Sequence, residues 1–289
     1  MNIAFVTSLE DPKLTSDDLL AIPLLKKYGH SVSPLIWEHS SKENLKGIEA
    51  LIFRSCWNYH RNFKLFSKWL EDLKAIKIPI FNSLEIMKWN LNKKHILEMA
   101  PDINIPKSSH FKIKKSLTQL ELQSLFESSG SHKLVIKPAV SLNGHDTFLF
   151  DRDELPKALT KTNELLIDRE VLVQEFIPEI QTQGEVSLVY FNHQFSHAVR
   201  KIPAAGEFRV HSEYGGKRIA IEASHEARNY AERLLKHLKE QTLFARIDLV
   251  EAKTGPVLIE LEVTDPMLYL ASDSAAPERF ARAISEVLA

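Results

Sequence analysis

The chain has 289 residues, 44% apolar and 26% charged, with 37 basic against 38 acidic side chains and a net charge of −1. That length leaves room for two or three compact units, and the balanced charge excludes the broad field that draws a protein to nucleic acid or anionic lipid, which points to a small-molecule partner. No apolar run approaches the roughly 20 residues that cross a bilayer, so no membrane is expected, and a single cysteine, Cys56, excludes an internal disulfide or a multi-cysteine zinc site.

Met1 to Val6 runs straight into a strand pattern without a basic region, an apolar signal core or a cleavage site, so a cytoplasmic protein is expected. The opening third alternates strand and helix as parallel α/β proteins do. Strands are predicted over Asn2–Ser8, Ser31–Trp37 and Ala50–Arg54, with one amphipathic helix from about Asp17 to Tyr28. Thr15 and Ser16 are its candidate N-caps, and Gly29 closes it where a left-handed residue is wanted. A second helix is predicted over Phe63–Ile76, a short strand over Pro79–Phe81, and one or two helices over Leu84–Met99 around a polar break at Trp89-Asn90-Leu91-Asn92. Beyond that break the pattern becomes α+β. Strands are predicted at His110–Ile113, Lys133–Lys137, Thr147–Phe150 and Val171–Glu175, with helices over Leu117–Ser128 and Leu155–Thr162. A hairpin follows across Asn192-His193, then a helix over Ser224–Gln241, two acidic strands, and a last helix over Pro277–Ala289.

The two acidic strands, Ala245–Val250 and Val257–Asp265, carry three carboxylates on apolar runs. Glu260 and Glu262 share one face because side chains alternate along a strand, and Asp248 joins them if the runs pair through the turn at Thr254-Gly255-Pro256. Three crowded acids repel and partly protonate without a counter-charge, whereas a hard divalent ion such as magnesium takes oxygen ligands and also holds phosphate. The alternative is a pair of edge strands with solvated acids.

Neither a Walker-type phosphate loop nor a Gly-x-Gly-x-x-Gly fingerprint occurs, so phosphate must be held otherwise. Lys137 leaves a strand end stiffened by Pro138, which suits a phosphate contact. The polar stretch Ala139–Thr147 contains Asn143-Gly144, the strongest short hairpin signal, and could form a lid offering backbone N–H groups, Ser141 and Thr147. It could equally be only a turn. Val171 to Pro178 resembles a hinge in which backbone groups at Glu175 and Ile177, flanked by Gln174 and Phe176, could pair with the edge of adenine while Glu185 accepts ribose hydroxyls. Arg200 and Arg209 carry the planar fork suited to phosphate or carboxylate. On the substrate side, Ser8 and the segment from Arg54 to Tyr59 follow strand ends, where α/β sheets expose ligand sites. Arg54 is the candidate carboxylate anchor, with a structural ion pair as its alternative. Trp57, His211 and Asp265 complete the candidate substrate set.

Taken in order, Asn92-Lys93, Val135-Ile136-Lys137-Pro138, the Asn143-Gly144 loop, Val173 to Pro178, Gly215-Gly216, Asp248 and Glu260-x-Glu262 resemble the ATP-grasp superfamily over nearly the whole chain. Arg200 to Pro203, Gly206 to Arg209 and Glu260 to Pro266 resemble glutathione synthetase-like ligases and, more closely, the cyclo-ligase that makes D-cycloserine from O-ureido-D-serine. The resemblance implies an N-terminal α/β domain over 1–90, a central lid-like lobe over 91–178 and a lobe over 179–289 that carries the metal and phosphate site. It implies that Lys93 and Lys137 contact ATP phosphates, that the Gly144 loop covers them, and that Asp248, Glu260 and Glu262 ligate magnesium, with manganese as the substitute. The catalytic set is then Lys137, Arg200 and Arg209. The chain departs from glutathione synthetase at Glu262, where that enzyme has asparagine, and in a phosphate loop with less glycine. The expected activity is ATP-dependent joining of a small amino-acid-like carboxylate to an amine, or its cyclisation, through an acyl phosphate. Alternatives are a kinase-like phosphotransferase and a non-catalytic ATP-binding regulator. A homo-oligomer is left open.

Overall fold

The computed structural model describes residues 1–41, 43–99 and 101–289. Its first sheet is parallel, in the order β2-β1-β3-β4, from β1 (Asn2–Thr7), β2 (Ser31–Ile36), β3 (Ala50–Ser55) and β4 (Ile80–Phe81). β1 and β3 are apolar on both faces, as central parallel strands are when helices cover them. The helix expected over Asp17–Tyr28 is two short ones, α1 (Ser16–Leu19) and α2 (Ile22–Lys27). Pro23 is the reason: it has no N–H to continue the first helix but suits the first turn of the next. Thr15 caps α1 by accepting from the Asp18 N–H, and Gly29 takes a φ of +82° after α2. The helices α3 (Phe63–Leu73), α4 (Leu84–Asn90) and α5 (His95–Met99) follow, with the break between the last two at 91–94, two residues beyond the predicted Trp89–Asn92 because Trp89 and Asn90 complete α4.

The second sheet is antiparallel, in the order β5-β8-β6-β7, from β5 (Ser108–Phe111), β6 (Lys133–Pro138), β7 (Phe148–Asp151) and β8 (Val171–Glu175). One face packs under α6 (Gln119–Ser129) and α7 (Leu155–Leu166), burying Leu134, Ile136, Val171 and Val173 against Leu122, Phe126 and Leu165. Alternation therefore turns Val135, Lys137 and Gln174 to the other face. Asn143-Gly144 does not form a two-residue hairpin. It sits inside a nine-residue loop, 139–147, joining the paired strands β6 and β7, with positive φ at Asn143, Gly144 and Asp146.

A short helix α8 (Glu179–Gln183) leads into the third sheet, also antiparallel, in the order β11-β10-β9-β12-β13. Its strands are β9 (Glu185–Phe191), β10 (Gln194–Ile202), β11 (Lys217–Ile221), β12 (Phe244–Ala252) and β13 (Gly255–Glu262). The β9–β10 turn is Asn192-His193, both at positive φ, the turn whose twist matches flanking strands. One face buries Val186, Leu188, Ile247 and Leu258 beneath α9 (His225–Lys236). The last helix, α10 (Ala276–Leu288), returns to the first sheet, so that Phe280 and Ile284 share a core with Ile3, Phe5 and Phe244. No helix is long and apolar enough to cross a membrane among the described residues.

Candidate active site

The uncovered face of the third sheet carries a row of charge. Register fixes it: Arg218 on β11 lies opposite Lys201 on β10, Lys201 opposite Glu185 on β9, Ser187 opposite Asp248 on β12, and Asp248 opposite Glu260 on β13. Arg246, two residues before Asp248, lies opposite Glu262 on that same face. One oxygen from each of Asp248, Glu260 and Glu262 falls within 4.8 Å of the others. The three predicted metal ligands therefore converge.

Cations hold this cluster together. Lys93 Nζ donates to Glu260 Oε1 at 2.6 Å and to the Ser141 carbonyl at 2.8 Å, and its N–H donates to the Ala139 carbonyl, which ties the 139–147 loop to the acids. Lys201 Nζ pairs with Glu185 and, at 3.0 Å, with Asp248. Arg246 reaches Asp248 at 3.0 Å and Glu262 at 2.6 Å. Burial works to keep Asp248 protonated, yet Arg246 and Lys201 hold its carboxyl well below the usual range. Burial opposes ionisation of Glu260 too, but Lys93 and Lys137 bring it down to about 2. Glu262 goes the other way, pushed up to about 8 by burial, which outweighs Arg246 and is reinforced by Glu260 and Asp248. A third carboxyl resists ionising beside two ionised ones because their charges repel, a cost that a cation among them would offset, and all-oxygen donors suit a hard divalent ion. The residues present fit such a group.

Across from the acids stands the uncovered face of the second sheet. Lys137 projects from the end of β6, and burial lowers its ammonium to about 8, partly offset by Glu260. The cleft between the sheets spans about 860 Å³, part of it open to solvent, and is lined by Lys93, Lys137, Glu260 and Glu262 and by Glu175, Phe176 and Ile177. Gln174 also lines it, its amide held by Ser108 Oγ at 2.7 Å. The Glu175 and Phe176 N–H groups donate to the Lys107 and Lys133 carbonyls, whereas the Ile177 N–H meets no acceptor among the described residues. Glu185 lines the same cleft, pushed up to about 7 by burial against the pull of Lys201.

The roof is formed by two loops in contact. A Cβ on Gly144 would stand 3.3 Å from side-chain atoms of Arg209, His211 and Tyr214, and its φ of +67° also favours glycine. Arg209 pairs with Glu207 at 2.6 Å and lies 3.6 Å from the Tyr214 ring centroid, facing the cleft. Ser141 is buried, its hydroxyl donating to the Pro138 carbonyl at 3.3 Å, while Asn143 stands at the cleft wall. His211 is lowered to about 4, by burial first and Lys201 next. A second chamber of about 670 Å³ adjoins the first through Leu142, Asn143, His211 and Glu262, with Trp57, Arg246 and Tyr269 on its far walls.

The comparisons agree with this geometry. Residues 111–271 match the family model described as the prokaryotic glutathione synthetase ATP-grasp domain, more than half of the chain. The chain belongs to the ATP-grasp family. Residues 3–82 match the model of the N-terminal domain of D-cycloserine synthetase DcsG. The cycloserine biosynthesis protein DcsG of Streptomyces lavendulae is 24% identical over 251 residues, 83% of each chain, and a glutathione synthetase of Neisseria meningitidis is 26% identical over 228 residues, 77% of this chain and 66% of that one. A crystal structure of D-cycloserine synthetase DcsG superposes with a TM-score of 0.88 at 21% identity over the whole of both chains. The fold is thus the ATP-grasp fold with an N-terminal α/β unit, and the protein is an ATP-grasp ligase that uses ATP with a divalent metal.

Three sequence expectations meet different surroundings in this ATP-grasp structure. Arg200 faces away from the cleft, donating to the Gln183 carbonyl and to Glu251 at 2.8 Å each, because alternation on β10 turns its neighbour Lys201 inward instead. Arg54 is no open anchor: 1% exposed, it pairs with Asp18 at 2.7 Å, donates to the Pro266 carbonyl and lies 5.1 and 5.3 Å from the Phe244 and Phe280 ring centroids. The structure places Arg54 in an ion pair, the alternative reading of that residue. Ser8 is buried and lines neither chamber, its carbonyl accepting from the Asp11 N–H. Arg54→Ala should accordingly cost about 3 to 5 kcal/mol by stranding Asp18, read as a loss in urea-unfolding free energy. A changed substrate KM at full stability would contradict that placement.

Asp265 acts beneath the second chamber. Its carboxylate accepts from the Cys56 N–H at 2.8 Å and its carbonyl from the Trp57 indole at 2.8 Å, which fixes the Trp57 wall. Burial pushes its carboxyl up to about 6, against the lowering effect of the Cys56 hydrogen bond and Arg54. A carboxyl raised in the folded state contributes stability fully present below its unfolded pKa, near 4, and lost as pH rises through about 6. Wild type should therefore lose up to about 3 kcal/mol relative to Asp265→Asn between pH 4 and pH 7. Parallel unfolding curves at both pH values would count against it. Lys201, Arg246 and Tyr269 were not among the sequence candidates. Two-residue spacing from Asp248 was signal enough for Arg246, whereas Tyr269 lies in an irregular segment with no periodic pattern.

Proposed function

We propose that this ATP-grasp ligase activates a small amino-acid-like carboxylate as an acyl phosphate and joins it to an amine, on the same molecule or a second one. The observation that carries the proposal is the facing of Lys93 and Lys137 against Asp248, Glu260 and Glu262 at the joint between the two chambers. In this reading the Ile177 N–H and the Glu175 backbone hold adenine, Glu185 holds ribose, and the two ammonium groups with Arg209 receive phosphate oxygens. Asp248, Glu260 and Glu262 would hold magnesium, or manganese as its substitute, which would supply charge neutralisation for the phosphates. Arg246, already between Asp248 and Glu262, steadies the substrate carboxylate as one of its oxygens attacks the terminal phosphorus and ADP leaves. Nitrogen then forms a bond to the carbonyl carbon, the carbon–oxygen bond to phosphate breaks, and the nitrogen's proton departs with inorganic phosphate. No protein nucleophile is required, and Cys56 is held neutral by burial, its thiol pushed well above the usual range. The three parts 1–90, 91–178 and 179–289 serve as substrate side, lid-bearing lobe and metal lobe.

Magnesium-dependent ADP release, measured against amino acids, ureido amino acids and dipeptides with mass spectrometry of the products, tests this. Loss of water in the product marks condensation or ring closure. A retained phosphoryl group would assign the protein to the phosphotransferases.

A further inference from the structure

Arg218 is a member of the charged row that the reading above leaves unused. It lies on the edge strand β11 directly opposite Lys201, so both project from the same face of the sheet, toward the acids. Two cations in that relation repel each other unless an anion lies between or beside them. Lys201 has its anions in Glu185 and Asp248. Arg218 has no carboxylate within 4.0 Å among the described residues; its contacts are Met267 Sδ at 2.8 Å and the Tyr269 ring, whose centroid lies 5.4 Å away. That ring is shared, since Arg246 lies 5.6 Å from the same centroid. Tyr269 adopts a φ of +52°, a strained conformation for a non-glycine residue and one that clusters at ligand-binding positions. Both guanidiniums and the ring line the second chamber.

We propose that Arg218 recognises a second, non-reacting carboxylate of the substrates, while Arg246 faces the carboxylate that is phosphorylated. The proposal rests on the ligase reading and narrows its substrate class. Both guanidiniums lie against one aromatic ring in the same chamber, which leaves them near enough to take the two ends of a small dicarboxylate or the carboxylates of two amino acids held together. An arginine fork presents two parallel donors to a carboxylate, and the Met267 and Tyr269 contacts fix its plane before the ligand arrives. Arg218 is exposed to solvent in the unliganded chamber, so its preference for an acid over an uncharged analogue comes from the paired charge and the second acceptor oxygen that the analogue lacks.

The test compares free and blocked acids in magnesium-dependent ADP release. Probes are aspartate, glutamate and glutarate against asparagine, glutamine and glutaramate, and alanine pairs in which the second alanine is free or is alaninamide, each amino acid in both enantiomers. Free acids should exceed blocked ones by about tenfold or more in kcat/KM. A preference within the dicarboxylates places both carboxylates on one molecule; a preference within the alanine pairs places them on two. Arg218→Gln should erase the preference, Arg218→Lys should keep part of it, and the KM for ATP should move far less than that for the acid. Equal use of free and blocked acids, or a preference that survives Arg218→Gln, overturns the assignment. Should no probe release ADP, calorimetric titration of glutarate and glutaramate into the protein with ADP and magnesium decides: equal or absent binding of both overturns the Arg218 role. Heat on titrating ATP itself would leave the nucleotide reading standing.

Discussion

Glu260→Gln is expected to lower magnesium-dependent ADP formation at least a hundredfold, about 3 to 4 kcal/mol in the barrier, while leaving the protein folded. The substitution keeps shape and hydrogen-bonding reach, so Lys93 retains an acceptor at that position and its second contact to the Ser141 carbonyl. What disappears is one negative charge among three acids whose oxygens lie within 4.8 Å. The loss has opposite effects on fold and function. Glu262, pushed up to about 8 partly by Glu260, should ionise more easily in the variant, so the folded state recovers some of what it loses in the Lys93 pair. A divalent ion, by contrast, loses a charged oxygen donor, and the magnesium concentration for half-maximal rate should rise. The readout is steady-state ADP production across a magnesium series, with circular dichroism for the fold. Ordinary turnover at ordinary magnesium would remove Glu260 from the metal site.

The difference between what the sequence disclosed and what it hid follows from periodicity. Glu260, Glu262 and Asp248 were legible because a strand alternates every two residues and the acids interrupt apolar runs. On β10 the planar fork of arginine favoured Arg200 over Lys201 without regard to strand phase; Arg200 meets Glu251, and Lys201 meets Asp248. No composition or motif fixes that phase. Pairing does, through the register that sets Lys201 against Glu185. Arg54 illustrates a second limit. Its strand ends where ligands often bind, but the partners that bury it, Asp18, Phe244 and Phe280, come from three distant stretches of chain. The final helix is the third case, since amphipathicity reveals that α10 has an apolar face and only the fold reveals that this face completes the N-terminal core. Pro23 was visible from the start, and its effect on the first helix follows from one missing N–H.

Lys137→Met should cost ADP formation at least as much, about a hundredfold to a thousandfold in kcat/KM for ATP, yet make the unliganded protein more stable. Lys137 is half-buried at the cleft wall, surrounded closely enough for burial to lower its ammonium to about 8. A lysine whose folded pKa lies below its unfolded value, near 10.5, destabilises the fold while it is charged, and that penalty is relieved as pH rises through about 8 toward 10.5. At pH 7 the penalty is fully present. Discounting for the open side of the cleft, methionine should recover about 1 to 2 kcal/mol, with the gain shrinking above pH 8. The loss of activity has the same origin, because a partly desolvated ammonium at a rigid strand end is a strong, prepaid counter-charge for phosphate oxygens. Urea unfolding at pH 7 and pH 10, set beside ATP titration and ADP release at pH 7, separates the two effects. A variant that is both less stable and normally active would show that Lys137 serves the fold rather than the phosphates.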